Sequence, residues 1–391
     1  MIRESTARLI AGNKVTLLRS GAEYFPALEA AIRSARRQIY LETYIYADDE
    51  SARRITDALI DAAGRGVEAH VLVDGFGSRG LMAEDLAYRL LASGVLFLVF
   101  RPEVGTISFQ RKRLRRMHRK LVVVDGAMGF VGGINIIDDM NTPGQLPPRF
   151  DFAVRVEGPL VAQLHEQVER LWNRVAWVSM RSSWRSHGHV GVGLAPKGTQ
   201  DAALVVRDNV RHRSDIEDAY LRAIRGAREE VVIANAYFFP GIRFRRALVD
   251  AARRGVRVVL LLQGRVEYVL LHYASRALYG TLLEAGVEIH EYYRSFLHAK
   301  VAVVDRHWST VGSSNIDPFS LTLAREANVM VEDPAFASDL REALQQALDS
   351  GTHALQRTGW YHQPLRARVA IWIAYSVVRL LMGVFGYAER N

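Results

Sequence analysis

The sequence predicts an α/β fold built from two copies of one unit, with pseudo-twofold symmetry between the copies. Three observations support this prediction. Segments recur in the same order in both halves of the 391-residue chain, helical and strand-like patterns alternate in each half, and one polar motif occurs once per half. At roughly 150 residues per domain, the length also favours two domains. We therefore expect two α/β lobes with a functional site at their interface.

The internal repeat is visible as pairs of similar segments. Residues 35–41 (ARRQIYL) resemble residues 227–233 (AREEVVI), and residues 61–67 (DAAGRGV) match residues 250–256 (DAARRGV). In both halves the first segment closes a helical pattern and runs into an apolar strand, and the second segment is followed by a further strand. Because the order is constant and the offset of these segments is 192 or 189 residues, we interpret the repeat as a duplication.

The alternation of helical and strand patterns is typical of βαβ units and predicts a largely parallel sheet. Residues 121–124 (LVVV) and 301–304 (VAVV) are short, nearly continuous apolar runs, as buried strands require. Residues 177–200 are rich in Ser, Gly, His and Arg and show little apolar periodicity. The predicted organisation is therefore a first lobe at residues 1–176, a linker at 177–200, a second lobe at 201–350 and a membrane-associating C-terminal segment at 351–391.

The chain is basic, because 51 Lys and Arg residues against 42 Asp and Glu residues give a formal net charge of +9 and a pI of about 9.8. This balance favours an anionic partner, such as nucleic acid, a phosphorylated ligand or an anionic membrane surface, without choosing among them. The absence of cysteine excludes disulfides and thiolate metal sites. The N-terminus does not have the pattern of a secretory signal, so we expect a cytoplasmic catalytic domain.

One polar motif occurs in both halves with identical spacing. A histidine is followed by a lysine two residues later, an aspartate five further on, a glycine seven further on and an asparagine after three more residues. A single His-x-Lys sequence has no diagnostic value, whereas two complete copies, one in each repeat, are specific. The copies consist of His118, Lys120, Asp125, Gly132 and Asn135, and of His298, Lys300, Asp305, Gly312 and Asn315.

The spacing places a histidine and a lysine on the same face of a strand, because side chains two residues apart in a strand point the same way. Two facing halves then supply two imidazoles, two ammonium groups and two amides around one cavity. Lysine and asparagine donors suit phosphate oxygens, one histidine can attack phosphorus, and the other can protonate the leaving oxygen. Because the cations are side chains, the motif predicts a reaction that needs no metal and no cofactor.

The roles of four acidic residues stay open at this point. Asp125 and Asp305 follow strands, where a carboxylate can either brace a turn or take part in the site. Each histidine needs a partner on its second nitrogen to fix the tautomer. Asp151 and Glu326 are candidates, because each is a single acid entering an apolar strand; the alternative is a solvated charge. A basic run at residues 111–116 suits an anionic head group or a bilayer, or is a solvated charge run.

These motifs resemble the hallmark of the phospholipase D superfamily, within which the chain looks like bacterial cardiolipin synthases. The resemblance covers roughly residues 10–350. It implies that a phosphatidyl group moves from one phospholipid to a histidine and then to an alcohol, such as the glycerol end of a second phosphatidylglycerol. The supporting strings are residues 41–46 (LETYIY), 118–126 (HRKLVVVDG), 132–136 (GGINI), 312–318 (GSSNIDP) and 325–329 (REANV).

The resemblance also implies residue roles, with His118 as the expected nucleophile and His298 as the acid–base group. The chain looks like the shorter type of synthase, without the two N-terminal transmembrane helices that many members carry. The expected catalytic residues are His118, Lys120, Asp125, His298, Lys300 and Asp305, the expected substrate-binding residues are Asn135, Asn315, Gly133 and Ser313, and the expected supports of the histidines are Asp151 and Glu326.

Two alternatives come from other functional classes. A nuclease or phosphodiesterase of the same superfamily would use the same histidines and lysines, and the basic charge fits nucleic acid as well. The lipid-type strings and the apolar C-terminal segment weigh against nucleic acid as a partner. A non-catalytic membrane-binding protein would not need two intact motifs.

The C-terminal segment contains an apolar stretch, residues 369–388 (VAIWIAYSVVRLLMGVFGYA), in which Arg379 is the only charge. A central arginine costs roughly 2.5–3.5 kcal/mol in a spanning helix, so a helix lying in an anionic membrane surface is the favoured interpretation. We therefore expect phospholipid partners and a location at the cell membrane, peripheral or anchored by this segment. The alternative is a C-terminal helix packed on the core, and the oligomeric state stays open.

Overall fold

Helices and strands alternate along both halves of the chain. The computed structural model describes residues 8–82, 84–102, 115–185, 191–208, 212–317, 320, 323–357 and 365–384. The first lobe contains β1 (Ile10–Arg19), α1 (Ser20–Ser34), β2 (Gln38–Thr43), α2 (Glu50–Gly64), β3 (Glu68–Asp74), α3 (Glu84–Ala92), β4 (Leu96–Phe100), β5 (Arg116–Met117), β6 (Lys120–Val124), β7 (Met128–Gly132), β8 (Arg149–Phe150), β9 (Phe152–Glu157) and α4 (Val161–Val178).

The second lobe repeats this course. It contains β10 (Gln200–Arg207), α5 (Asp215–Gly226), β11 (Glu230–Asn235), α6 (Ile242–Arg253), β12 (Arg257–Gln263), α7 (Val269–Arg276), α8 (Tyr279–Glu284), β13 (Glu288–Tyr292), β14 (Phe296–Leu297), β15 (Lys300–Val304), β16 (Trp308–Gly312), β17 (Ala324–Glu332), α9 (Pro334–Gly351) and β18 (Thr352–Ala354), and the helix α10 (Leu365–Val384) follows.

One sheet of 16 strands runs through the described part of both lobes, in the order β18-β13-β12-β11-β15-β16-β17-β10-β1-β9-β7-β6-β2-β3-β4, with β5 paired to β17. The lobes join at the antiparallel pair of β1 and β10. From this pair outward, the strands follow the same course on either side: β9, β7, β6, β2, β3 and β4 on one side correspond to β17, β16, β15, β11, β12 and β13 on the other. The predicted two-lobed α/β fold with pseudo-twofold symmetry is confirmed.

The sheet is mixed, which corrects the expectation of a largely parallel sheet. Strands β2, β3 and β4 are parallel, and so are β11, β12 and β13. Strand β6, in contrast, pairs antiparallel with both of its neighbours. Its apolar run arises because both faces are covered: Leu121 and Val123 belong to one core cluster, and Val122 and Val124 to another. An apolar run therefore reports burial on two faces and not strand direction.

Helices cover both faces of the sheet in three layers. In the first lobe, Leu28 of α1 and Leu59 of α2 pack in the cluster on one face, while Leu164 of α4 packs on the other. In the second lobe, Leu248 of α6 and Leu340 of α9 take the corresponding places. The clusters under α4 and α9 are continuous, so a shared core supports both lobes beneath the strands that carry the motifs.

The segment between the lobes begins where α4 ends at Val178 and stops where β10 begins at Gln200. The indole nitrogen of Trp172 in α4 donates a hydrogen bond to the carbonyl oxygen of Trp184 at 2.8 Å, which ties this segment to the first lobe. The predicted domain limits at residues 176, 200 and 350 stay predictions.

Helix α10 packs on the second lobe. Its buried residues Ala374 and Val378 form a cluster with Phe239, Ala274 of α7 and Leu278. No helix within the described ranges is long and apolar enough to cross a membrane. Residues 385–388 of the predicted apolar stretch lie outside the described residues. The other face of α10 is exposed and apolar, with Val369, Trp372, Ile373, Val377 and Leu380 between 38% and 70% exposed.

Candidate active site

The histidine of each motif is held by a strand of the opposite lobe. Strand β5, just before His118, pairs in parallel with the start of β17, and the backbone N–H of His118 donates to the carbonyl oxygen of Arg325 at 3.0 Å. Strand β14, just before His298, pairs in the same way with β8, and the backbone N–H of His298 donates to the carbonyl oxygen of Phe150 at 2.8 Å. Both motifs therefore lie where the lobes meet.

Each imidazole contacts a buried carboxylate of the opposite lobe. The Nδ1 atom of His118 lies 3.0 Å from an oxygen of Glu326, and the Nδ1 atom of His298 lies 2.6 Å from an oxygen of Asp151. Both carboxylates have 0% exposure. A carboxylate on Nδ1 fixes the tautomer that carries its hydrogen there and leaves Nε2 with a lone pair. The sequence predicted these two acids as partners of the histidines but did not say which acid meets which histidine.

The two motif lysines are buried beside the histidines. Lys120 Nζ donates to the carbonyl oxygen of His118 at 2.6 Å, and Lys300 Nζ lies 2.8 Å from Nδ1 of His298 and 3.5 Å from Asp151. Burial lowers the pKa of Lys120 to about 7 and that of Lys300 to about 8. An anionic ligand would therefore stabilise both ammonium groups and raise their pKa values again.

The charges of the two motifs act on one another. Burial lowers the pKa of His118, and the Lys300 ammonium of the other lobe lowers it further. Burial also lowers the pKa of Lys120, a shift that Glu326 opposes and Lys300 reinforces. Because such effects require proximity in a medium of low dielectric, the two motifs form one electrostatic unit, as the sequence predicted for a single shared site.

The motif asparagines are buried near the same strand ends. Asn135 Oδ1 accepts a hydrogen bond from the backbone N–H of Ile45 at 3.0 Å, so its amide NH₂ is the part of the side chain that can donate to a ligand. Asn315 is 3% exposed, and its Oδ1 has no hydrogen-bond partner among the residues that the structure describes. The amide NH₂ of Asn135 suits the predicted contact with a phosphate oxygen, whereas the open Oδ1 of Asn315 is an acceptor.

The motif aspartates lie at the far ends of strands β6 and β15. The carboxylate of Asp125 accepts from the backbone N–H groups of Arg36, Arg37 and Gln38 at 2.8–2.9 Å. Asp305 does the same for residues 228–230 at 2.8–3.0 Å. Of the two roles left open by the sequence, this geometry favours the brace of a turn and does not bring these carboxylates to the histidines.

Gly133 and Ser313, predicted to bind substrate, lie against the two acids. A Cβ atom on Gly133 would be 2.3 Å from Asp151 Oδ1, so only glycine leaves room for that carboxylate. The Ser313 hydroxyl donates to Glu326 at 2.5 Å. Glu326 and Asp151 thus lie at equivalent places in the two lobes. Glu326 receives a hydrogen bond from the hydroxyl of Ser313, whereas Gly133, the counterpart of Ser313, has no side chain to offer Asp151. The contacts of these two residues fit a role in holding the carboxylates.

Two features of the site were not predicted. The ring of Tyr44 lies 4.8 Å from that of His118, and Lys120 Nζ lies 5.4 Å from the same tyrosine ring. Beneath them, the guanidinium of Arg119 forms a buried bidentate pair with Glu42, with one contact at 2.8 Å. Glu42 and Tyr44 belong to the string that carried the family resemblance, and Glu42 is the single acid of strand β2, which is the signal that sequence analysis could have used.

Among the described residues, no group of three or more His, Asp or Glu side chains could hold a metal ion.

The predicted basic run is only partly described. Its residues 111–114 lie outside the described residues. Arg116, at its end, places its guanidinium 4.8 Å above the ring of Phe76.

Comparison with known proteins places this geometry in a family. The family model described as "Cardiolipin synthase, PLD-like domain" matches residues 28–172 and 220–348. Cardiolipin synthase B of Escherichia coli (strain K12) is 42% identical over 348 residues, which cover 89% of this chain and 83% of that protein. The major cardiolipin synthase ClsA of Bacillus subtilis (strain 168) is 29% identical over 97% of this chain and 77% of its own length.

The fold is also similar to that of solved structures. Phosphatidylserine synthase of Haemophilus influenzae Rd KW20 superposes with a TM-score of 0.71 over 96% of this chain and 95% of that chain, at 13% identity. Polyphosphate kinase from Porphyromonas gingivalis superposes with a TM-score of 0.57 over 96% of this chain and 53% of that chain, at 14% identity. At such identities the likeness concerns the fold alone. Because the family model spans both lobes and the relatives cover most of the chain, this protein belongs to the phospholipase D-like cardiolipin synthase family.

Proposed function

We propose that this chain is a cardiolipin synthase that transfers a phosphatidyl group from one phosphatidylglycerol to another through a phosphohistidine on His118, with release of glycerol. The observation that carries the proposal is the pair of imidazoles, each fixed at Nδ1 by a buried carboxylate and accompanied by a buried lysine. The relatives named as cardiolipin synthases support the reaction. The assignment of the nucleophile to His118 follows the family resemblance.

In the first step, Nε2 of His118 attacks the phosphorus of the donor lipid. The bond from phosphorus to the oxygen of the head-group glycerol breaks, and His298 gives its Nε2 proton to that oxygen. The head-group glycerol then leaves. Burial lowers the pKa of His298, and the negative charge of the bound phosphodiester opposes this shift, which lets the imidazole carry the proton when substrate is present.

In the second step, His298 removes the proton from a hydroxyl of the acceptor lipid. The resulting oxygen attacks phosphorus, the bond from phosphorus to His118 breaks, and cardiolipin forms. Lys120 and Lys300 stabilise the charge on the phosphoryl oxygens in both steps, and the amides of Asn135 and Asn315 donate to the same oxygens. The protein side chains supply each charge and each proton that this sequence of steps needs.

The experiment that tests the function uses purified protein with labelled phosphatidylglycerol, phosphatidylethanolamine and DNA, each in the presence of a chelator. We expect cardiolipin and glycerol in equal amounts from phosphatidylglycerol and no cleavage of DNA. Cleavage of DNA without lipid transfer would establish the alternative, a phosphodiesterase or nuclease of the same superfamily. Full loss of activity in chelator, restored by one particular metal, would contradict the metal-free mechanism.

The pH dependence of kcat/KM should report the two lysines. An ammonium is present below its pKa and lost above it, so kcat/KM should fall as pH rises through about 7 to 8, where burial places the pKa values of Lys120 and Lys300. In the substrate complex the phosphodiester anion raises both values, so kcat should fall only at higher pH. The measurement is a pH profile on short-chain phosphatidylglycerol.

The control for this profile is Lys120→Arg, since arginine keeps its charge at all these pH values. Whatever the absolute rate of this variant, its kcat/KM should no longer fall near pH 7, where the wild-type Lys120 loses its proton. A kcat/KM that rises through the same range in the wild-type protein would mean that the lysines act as neutral amines, against the proposal.

In the same proposal, the exposed face of α10 lies in an anionic bilayer surface. The support for this is local: Trp372 and Leu380 are 68% and 70% exposed, while the opposite face of the helix packs on Phe239 and α7. A helix held flat against the protein lets Arg366 and Arg379 reach lipid phosphates, at about 1 kcal/mol for each basic residue near an anionic surface.

Replacement of Trp372 and Leu380 by serine should weaken flotation with anionic vesicles about tenfold or more, because each apolar side chain contributes roughly 1.5–3 kcal/mol when buried. Activity on vesicles should fall more than activity on a short-chain soluble substrate. The matched control is Trp177→Ser, since Trp177 is 65% exposed at the end of α4. Equal flotation and equal vesicle activity of the double variant and the wild-type protein would refute the membrane role of α10.

A further inference from the structure

A cleft in the second lobe lies beside the catalytic strand β15. It is a narrow cleft lined by Tyr237, Gln263, Glu267 and Tyr268 among others. The mechanism described above uses none of these side chains. We call it the alcohol cleft, and its polar groups are those of Tyr237, Gln263 and Glu267.

The alcohol cleft adjoins the reacting groups. Tyr237 follows strand β11, whose last residue Asn235 pairs with Lys300 in register, and the backbone N–H of Ala236 donates to the carbonyl oxygen of Ala299 at 3.0 Å. Burial raises the pKa of Glu267, and the Lys300 ammonium is among the charges that oppose this shift. The cleft is therefore on the side of the site that contains His298 and Lys300.

The first lobe contacts the segment beside the cleft through Gln145. The Gln145 side chain donates from Nε2 to the carbonyl oxygen of Val266 at 3.1 Å, and its Oε1 lies 3.5 Å from Nε2 of Gln263. Gln145 of the first lobe thus contacts both the end of β12 and the segment between β12 and α7, which carries Glu267. This arrangement keeps the cleft next to the interface at which the motifs meet.

The alcohol cleft contains one buried hydrogen-bond acceptor without a donor among the described residues. Gln263 is only 7% exposed, yet its Oε1 has no hydrogen-bond partner among the residues that the structure describes. The Tyr237 hydroxyl donates to one oxygen of Glu267, a side chain that stays partly exposed to solvent. A buried acceptor without a donor costs about 1–3 kcal/mol, so a ligand that brings hydroxyl hydrogens would recover this energy.

The equivalent position in the first lobe is satisfied internally. Asp74 ends β3 as Gln263 ends β12. Its carboxylate accepts from the backbone N–H groups of Phe76 at 2.9 Å, Gly77 at 3.2 Å and Met117 at 2.7 Å. The two lobes therefore differ at one matched place: in the first lobe the acceptor holds the chain, and in the second lobe the Gln263 acceptor has no donor among the described residues.

We propose that the alcohol cleft binds the free hydroxyl groups of a glycerol head group, both in the leaving glycerol and in the acceptor lipid. One cleft serves both because His298 protonates the first and deprotonates the second, so the two alcohols occupy the same place in turn. The cationic side chains of Lys300 and Arg149 offset the charge of the Glu267 carboxylate, so the position does not select an ammonium head group. This inference rests on the proposed transfer reaction and adds the residues that select its alcohol.

The test separates the alcohol from the phosphatidyl group by using the p-nitrophenyl ester of a short-chain phosphatidic acid as donor. With this donor, p-nitrophenolate release measures attack by His118, and added glycerol, ethanol or ethanolamine measures transfer. Gln263→Leu should keep p-nitrophenolate release and transfer to ethanol near the wild-type rates, and lose about tenfold or more in kcat/KM for glycerol. Tyr237→Phe should act in the same direction, with Tyr220→Phe, a buried tyrosine in a different part of the lobe, as its matched control.

Equal losses for glycerol and ethanol, or no loss for either, would overturn the assignment of the cleft. A wild-type protein that transfers to ethanolamine better than to glycerol would overturn the choice of a polyol. Failure of the wild-type protein to transfer to any alcohol would instead contradict the proposed function. If Gln263→Leu unfolds, Tyr237→Phe decides the question alone, because it removes one hydroxyl group and no volume of the core.

Discussion

Replacement of His298 by asparagine should lower lipid transfer by about 10³-fold or more and leave a phosphatidyl group attached to His118. Without His298, the leaving glycerol receives no proton and the acceptor hydroxyl has no base, and general acid–base catalysis contributes typically 10²–10⁴-fold to each such step. The p-nitrophenyl donor avoids the first defect, because p-nitrophenolate leaves without a proton. With that donor, the variant should release one p-nitrophenolate for each protein molecule and then stop.

The adduct is measured by peptide mass spectrometry after acid-free digestion. His118→Asn should give neither adduct nor release, and the exposed His353→Asn serves as a control for a histidine outside the site. An adduct on His298 would exchange the two roles and keep the covalent mechanism. Transfer by His118→Asn at the wild-type rate would contradict covalent catalysis by that residue.

The sequence predicted those parts of the molecule that depend on local pattern. Two copies of a His-x-Lys motif in matching repeats indicated two lobes and a shared site, because local spacing places His118 and Lys120 on one strand face. It could not predict that β6 is antiparallel to β2, since a strand with both faces covered has the same apolar run in either direction. It also could not separate a bracing from a catalytic role for Asp125, because both roles require a carboxylate after a strand.

Contacts between the lobes were beyond the sequence for a different reason. Asp151 and Glu326 follow their own motifs in the chain, and nothing in that order shows that each supports the histidine of the other lobe. The parallel pairs β5–β17 and β8–β14 create this exchange. The alcohol cleft was missed for a similar reason. The open acceptor of Gln263 is noticeable only in comparison with Asp74, the residue at the equivalent position of the first lobe.

Each acid supports the histidine of the opposite lobe, so replacing Glu326 and replacing Asp151 should impair different steps of the reaction. Glu326→Gln should impair the attack by His118, because an amide no longer fixes the imidazole in the tautomer with Nε2 free. Asp151→Asn should impair the proton transfers by His298 for the same reason. Loss of such a carboxylate costs about 10²–10⁴-fold in comparable histidine–acid pairs. Both substitutions keep side-chain volume, which limits their effect on packing.

The two donors distinguish these defects. With phosphatidylglycerol, both variants should be slow. With the p-nitrophenyl ester, whose leaving group needs no proton, Asp151→Asn should release its first equivalent of p-nitrophenolate at nearly the wild-type rate and then turn over slowly, whereas Glu326→Gln should be slow from the first equivalent. The contact of Ser313 with Glu326 offers a milder variant, Ser313→Ala, which removes a hydrogen bond at 2.5 Å and keeps the carboxylate. It should slow the attack step in the same direction by about tenfold.

Thermal unfolding of each variant separates these catalytic effects from a loss of the fold. Asp151 lies 3.5 Å from the buried Lys300 ammonium, so Asp151→Asn should lower the melting temperature as well, because it leaves a buried cation with less compensation. The decisive observation is which variant recovers with the p-nitrophenyl donor. Recovery of Glu326→Gln in place of Asp151→Asn would mean that His298 is the nucleophile, since the acids would still follow their partners across the interface. If neither variant recovers, then neither acid acts on a single step, and the two carboxylates would serve only to hold the lobes together.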